Sequence, residues 1–292
     1  MDELSFKVGQ ILGVIVLYDL NFKDSITVQS LNASLKTVST MMDVVIYNNS
    51  KKCDIEDGTV FNYDHLRIHY FHNPFNPGVS KAYNFSVDYG IEKLNKEWIL
   101  LLDQDTFFPL DTITEYINNM HAYSNQVLFV PLLSTNNGIY SPSKYYFKKG
   151  FIWKNIETGL CLIENRSILN SGLLIKIDAY LKVGGYNEKI KLYFSDFNFI
   201  DRYRKHYKSF VILDLICLHE LSDLTFNDSK TLITRFNQYC KDSYNSAEST
   251  LDIIFLFLTV LLRSFKLALR YKSLTFLKVF LKTYLKKMIN FY

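Results

Sequence analysis

Asp103-Gln104-Asp105 places two carboxylates two residues apart, directly after the apolar run Trp98–Leu102. If the strand continues through them, residues i and i+2 point to the same face. Carboxylates held side by side repel each other unless a proton or a cation sits between them. Mg2+ and Mn2+ take oxygen ligands and complete their shells with substrate phosphates, so the spacing suits a metal and a diphosphate. An isolated D-x-D at a strand end also occurs without a metal, and only its setting decides between the two.

A second segment has the same electrostatic sense. Asn73-Pro74-Phe75-Asn76-Pro77-Gly78 leads into a helical pattern with Val79, Tyr83, Val87, Ile91 and Leu94 on one stripe. Unpaired N–H groups at a helix N-terminus attract anions, and Lys81 adds a formal charge there. A Pro-Gly turn that caps the helix, with Lys81 in solvent, is the other reading; the two are compatible.

The elements that must hold these groups alternate in type. Ile11–Tyr18 and Trp98–Leu102 are continuous apolar runs, as expected of strands buried on both faces of a parallel sheet. Between them, Val28, Leu31, Leu35 and Val38 mark a helix, and Val44–Tyr47 and Leu66–Phe71 mark two more strands. Strand–helix–strand repetition implies right-handed crossovers, with ligands beyond the carboxyl ends of the strands. Ser134–Lys149, rich in Asn, Ser, Tyr and Lys, reads as a loop. Strand and turn signals return at Gly159–Leu174, Gly184-Gly185 and Val211–Leu218, and from Thr231 the sequence reads as wholly helical.

The bulk properties are those of a folded α/β protein with an appendage: 292 residues, 48% hydrophobic and 21% charged. The net charge of +4 is concentrated at the end, where Arg263, Lys266, Arg270, Lys272, Lys278, Lys282, Lys286 and Lys287 follow Ile253 with no acidic residue among them. The remaining chain is slightly acidic, which argues against nucleic acid as a partner. Cys53, Cys161, Cys217 and Cys240 show no metal-like spacing. The first residues lack a charged-then-apolar leader pattern, so a cytoplasmic setting with reduced thiols is expected. The longest uncharged apolar stretch, Ile253–Leu262, is ten residues, too short to span a bilayer.

His72–Asn84 and Trp98–Thr106 together closely resemble family 2 inverting glycosyltransferases, nearest their bacterial rhamnosyltransferase-like branch. Further landmarks are Ser171-Gly172, Gly184-Gly185-Tyr186-Asn187-Glu188, Asp196 with Arg202, and His219, so the resemblance runs from about Ile11 to about Asp242. It implies a GT-A fold: a nucleotide-binding half at about 8–130 and an acceptor half at about 131–230, followed by a helical extension at 231–292. It also implies that Asp105, with Asp103 nearby, binds Mg2+ or Mn2+ bridging the diphosphate of a nucleotide sugar, and that His219 reaches the metal or the phosphates. Tyr18, Asn48, Asn73, Gly78, Lys81, Asn84, Gln104 and Ser171 fall at donor-binding positions. Asn48 stands where many relatives carry an acidic residue for the base. Asp196 matches the catalytic base, the carboxylate that takes the acceptor hydroxyl's proton; Ser195 and Asn198 depart from the acidic residues usual there.

The donor expected from that branch is dTDP-L-rhamnose, with UDP-hexose or UDP-N-acetylhexosamine as the alternative. The acceptor is then a surface polysaccharide or lipid-linked oligosaccharide. A sugar-phosphate nucleotidyltransferase is a more remote alternative, but Tyr18–Phe22 has no glycine to cradle a triphosphate. Leu274, Leu277, Leu281, Tyr284 and Met288 recur at helical spacing, flanked by Lys278, Lys282 and Lys286. This basic amphipathic pattern suggests a peripheral position on the inner face of the bacterial cell membrane, with a homodimer contact as the other use of the same stripe.

Overall fold

The computed structural model describes residues 3–219 and 229–289. The strands are β1 (Ile11–Leu17), β2 (Met42–Asn48), β3 (Thr59–Tyr63), β4 (Leu66–His72), β5 (Trp98–Asp103), β6 (Thr106–Phe107), β7 (Leu128–Thr135), β8 (Gly138–Ser141), β9 (Ser143–Tyr146), β10 (Lys149–Phe151), β11 (Gly159–Leu162), β12 (Arg166–Ser167), β13 (Leu173–Lys176) and β14 (Ser209–His219). The helices are α1 (Glu3–Gly9), α2 (Ile26–Thr37), α3 (Val79–Leu94), α4 (Thr112–Ala122), α5 (Ile177–Val183), α6 (Ser195–His206), α7 (Ser229–Asn245), α8 (Thr250–Arg270) and α9 (Thr275–Ile289).

The main sheet runs β11-β14-β7-β13-β5-β1-β2-β4-β3, with β6 on β14 and β8 on β7. β5, β1, β2 and β4 are parallel to one another, as are β7 and β14, while β13 lies antiparallel between the two groups. Every residue of β1 is buried, and its alternation divides the core in two. Ile11, Ile15 and Leu17 face α2 and α4; Leu12, Val14 and Val16 face α3, α5 and α6. Helices therefore cover both faces, and this is the α/β architecture expected of a GT-A fold.

Two expectations change. Residues 134–149 are not a loop. β7 and β8 form one antiparallel hairpin, and β9 pairs with β10 and β12 in a separate three-stranded sheet. Polar and aromatic side chains hid this, because β9 is buried only at alternate positions and β10 hardly at all. In the C-terminal extension, α7, α8 and α9 share a core of their own. The buried stripe of α9 is Phe276, Phe280 and Tyr284, whereas Leu274 and Leu281 are exposed. The side chains of Lys286, Lys287 and Met288 lie outside the described residues. Among the described residues, no helix is long and apolar enough to cross a membrane.

Candidate active site

Four parallel strands end on one side of the sheet, and the chemistry-bearing residues gather there. The carboxyl end of β5 is held by neighbouring strands and helices. The Thr27 hydroxyl, from the first turn of α2, is bonded to the carbonyls of Asp103 and Thr106. The Asp103 N–H donates to Ser171 Oγ at 3.2 Å, and Ser171 Oγ is bonded to Thr106 Oγ1 at 2.7 Å. Asp103 Oδ1 accepts from the Tyr83 hydroxyl of α3 at 3.4 Å. Burial raises the Asp103 carboxyl above its ordinary range, partly offset by His219 and Tyr83.

His219, the last residue of β14, arrives from the other parallel group. Its Nδ1 is bonded to Thr106 Oγ1 at 2.7 Å and lies 3.6 Å from Asp105 Oδ1. Asp103 as the last residue of β5, Asp105 in the turn before β6 and the imidazole beside Asp105 are oxygen and nitrogen donors of the kind a hard divalent cation accepts when phosphate and water fill the remaining positions. Among the described residues no group of three His, Cys, Asp or Glu side chains is placed to hold a metal ion by itself. Any ion held here would need phosphate and water oxygens to complete its shell.

Asp196 lies in the first turn of α6, after Phe194, which caps the helix in the left-handed conformation at φ 66°. Its Oδ1 accepts the Phe197 N–H at 2.7 Å. Burial pushes its carboxyl up to about 7, reinforced by the charge of Asp103 and offset in part by the Phe197 N–H. Tyr140, on β8, joins the two groups. Its hydroxyl oxygen is buried with no hydrogen-bond partner among the described residues. Burial, and then the charges of Asp103, Asp105 and Asp196, hold the phenol in its neutral form. A buried hydroxyl without a partner, set among three carboxylates, has a donor to offer an incoming ligand.

A cleft of about 460 Å3 opens beside the ends of β1 and β2, lined by residues 19–22, Asn48, residues 50–55 and Tyr70. Its rim is set by Gln104, whose Oε1 accepts the Tyr18 N–H at 2.8 Å, and by Ser50 Oγ, which accepts the Asp19 N–H at 2.8 Å. Tyr18 itself is half exposed. Asn48 lines the cleft with its amide engaged at both ends, donating to Tyr70 and accepting from the Ser50 N–H.

The remaining donor-site residues divide. Gly78 precedes α3 at φ 101°, and a Cβ there would lie 2.4 Å from the Lys191 carbonyl oxygen, so no other residue fits without moving that backbone. Asn73 accepts the Phe75 N–H and donates to Tyr47, shaping the turn. Lys81 is exposed on the first turn of α3. Two others are engaged within the protein. Asn84 accepts from the Tyr186 N–H and the Tyr180 hydroxyl and donates to the Tyr186 carbonyl and Glu188, so its whole hydrogen-bonding capacity locks the 184–188 turn. Ser171 is 1% exposed and braces Asp103 and Thr106.

Thr27, Tyr83, Thr106 and Tyr140 were not singled out from the sequence, nor was Asp242. The Asp242 carboxylate, on α7, accepts the N–H groups of Lys191, Leu192 and Tyr193, each at 3.0 Å, and so fixes the approach to Asp196. Tyr83 shows in the sequence only as a position on the apolar stripe of α3, and the other four sit in no spacing pattern that marks them.

Residues 43–172 match the family model Glycosyl transferase family 2, a span that contains Asp103 and Asp105 and ends before Asp196. The chain is similar to the low-salt glycan biosynthesis hexosyltransferase Agl10 of Haloferax volcanii, at 22% identity over 198 residues, 64% of this chain and 60% of that protein. Its fold is similar to that of S. aureus TarS 1-349 solved with UDP-GlcNAc, with a TM-score of 0.55 at 13% identity over 94% of this chain and 79% of that one. A longer TarS structure gives a TM-score of 0.50 at 15% identity, over 88% of this chain and 43% of that one. A GT-A fold, a D-x-D segment at the ligand-binding side of the sheet and a match to Glycosyl transferase family 2 over residues 43–172 are therefore what this chain shares with glycosyltransferases, while it spans only 60% of the length of its Haloferax relative.

Proposed function

We propose that this enzyme is an inverting transferase that moves a hexosyl group from a nucleotide diphosphate donor to a hydroxyl of a surface polysaccharide or lipid-linked oligosaccharide. The observation that carries the reading is the convergence of Asp103, Asp105, His219, Tyr140 and Asp196 at one end of the sheet.

In this reading the nucleoside lies in the cleft beside Tyr18 and Asn48, and the diphosphate lies between the start of α3, with Lys81, and the end of β5. Asp105, Asp103 and His219 would hold Mg2+ or Mn2+, which when bound supplies Lewis-acid stabilisation of the charge on the departing diphosphate. Thr106, bonded to His219 Nδ1, fixes the orientation of the ring. Asp196 takes the proton of the acceptor hydroxyl while that oxygen bonds to the anomeric carbon. The bond from that carbon to the diphosphate oxygen breaks, and the nucleoside diphosphate leaves. The Tyr140 hydroxyl donates to the donor sugar or its phosphate.

UDP-hexose and UDP-N-acetylhexosamine are supported as donors by the name of the Haloferax relative and by the ligand of the TarS structure; dTDP-L-rhamnose is the other candidate. A transfer assay with Mn2+ and each donor, read by NMR of the product, tests the reaction class. One donor should be consumed, with inversion at its anomeric carbon; a retained configuration would exclude Asp196 as the sole base of a direct displacement.

In this reading the extension docks on a membrane face. Leu251, Ile254, Leu258, Leu262, Phe265 and Leu269 form an exposed apolar stripe along α8, next to Arg263, Lys266 and Arg270. Sedimentation with phosphatidylglycerol vesicles should recover the full chain, and Leu258→Asp/Leu262→Asp should release it into the supernatant. Equal recovery of both would contradict the membrane role.

A further inference from the structure

A second cleft, of about 620 Å3, lies between α8 and the acceptor half and shares none of the metal or nucleoside residues. Its cationic side is built by α8: Arg263, Lys266 and Arg270 fall at i, i+3 and i+7 and share one face over about 10 Å of helix. Lys149 and Arg235 add to them from β10 and α7, and no Asp or Glu lines the cleft among the described residues. Lys148 also lines it, already paired with Asp201 at 2.5 Å and Asp252 at 2.9 Å. The opposite character is equally marked, because Phe236, Tyr239, Tyr271 and Phe276 give the same cleft aromatic walls.

This cleft reaches the catalytic side of the molecule. Phe194 and Phe197, which bracket Asp196 in sequence, form part of its lining. The Arg263 guanidinium lies 4.3 Å from the centre of the Tyr239 ring, and that ring lies 4.8 Å from the ring of Phe194. A ligand group held by the α8 cations is therefore one ring pair away from the helix turn that carries the base. At its outer edge, Leu262 belongs both to this lining and to the exposed apolar stripe of α8.

We propose that this cleft binds the acceptor through a phosphate or diphosphate ester attached to an apolar chain, with the anion on Lys266, Arg270 and their neighbours and the chain between the aromatic walls and the α8 stripe. Lys149, Lys266 and Arg270 make one wall of the cleft cationic, and phosphate is an anion that Arg and Lys hold by charge-assisted hydrogen bonds. The aromatic and aliphatic surface selects the attached chain, since a free anion would leave it unused. The inference rests on the transferase reading for the identity of the ligand as acceptor, but not for its binding.

The test is calorimetric titration of the full chain with farnesyl diphosphate in EDTA, which removes metal-dependent donor binding from the measurement. Wild type should bind it at least tenfold more tightly than it binds inorganic pyrophosphate or farnesol. Lys266→Glu/Arg270→Glu should weaken it by roughly tenfold or more, since each lost charge-assisted contact is typically worth about that factor. Lys272→Glu, the same charge change at an exposed residue outside the lining, should leave it unchanged. If the double variant melts early, Lys266→Gln alone takes its place. Farnesyl diphosphate binding that is absent, unaffected by loss of the α8 cations, or no tighter than pyrophosphate would overturn the proposal. The donor's Mn2+-dependent thermal shift, measured on the same variants, reports separately on the transferase reading: it should persist in Lys266→Glu/Arg270→Glu.

Discussion

Asp196→Asn should lower kcat by about 10²–10⁴-fold, the range a positioned general base contributes, while leaving donor binding intact. The amide keeps the Oδ1 acceptor for the Phe197 N–H, so the start of α6 need not move. Wild-type activity should also depend on pH in a defined sense. Burial, with the charge of Asp103 adding to it, raises the Asp196 carboxyl to about 7, and only the ionised form accepts a proton. Turnover should therefore rise as pH increases through about 7 and fall to roughly a tenth of its plateau one unit below. Loss of that pH step in the variant, together with loss of rate, assigns the step to Asp196. An unchanged rate would remove it from its role.

The same shift has a consequence for stability. A carboxyl whose folded-state value lies above its unfolded value of 3.8 binds protons more tightly when folded. Stability then falls as pH rises between 3.8 and about 7, and the cost is fully present above that range. Such a strained group is kept for chemistry at the expense of stability.

Asp105→Ala should remove the metal-dependent part of donor binding and lower turnover by about a thousandfold. Lewis-acid stabilisation of a departing diphosphate is worth several kcal/mol, and each 1.4 kcal/mol is about a factor of ten. Asp105 suits this test better than Asp103. Asp103 is bonded to Tyr83 through its carboxylate and to Thr27 and Ser171 through its backbone, so its removal would disturb the strand end as well as the charge.

The parts of the molecule legible in the sequence are those where one residue's surroundings follow from its neighbours in the chain. β1 and β5 are buried on both faces, and their continuous apolar runs say so. The polar positions were harder, because a polar side chain's role depends on a partner elsewhere. Asn84 and Ser171 brace a turn and a strand end more than 60 residues away, partners that no local pattern reveals. Asp43, His69 and Lys96 form a buried cluster, with contacts of 2.9 and 2.7 Å, across three elements that no spacing relates. Partnership with His69 and Lys96 overcomes the cost of burial there and lowers the Asp43 carboxyl to about 2. The hairpins at 138–151 were hidden for a different reason: a small sheet with one wet face needs few apolar residues. Asp196 could be assigned from the sequence only through the family resemblance, and Tyr140 could not be assigned at all.

The central claim is that donor and metal meet at Asp105, and thermal unfolding tests it most directly. UDP-GlcNAc, UDP-glucose and dTDP-L-rhamnose would each be added, with Mn2+ or with EDTA, to wild type and to Asp105→Ala. One donor should raise the unfolding midpoint of the wild type in Mn2+, at saturation by an amount set by its affinity, and the rise should vanish in EDTA and in the variant. A rise of equal size in Asp105→Ala, or no response of the wild type to any donor, would contradict the assignment.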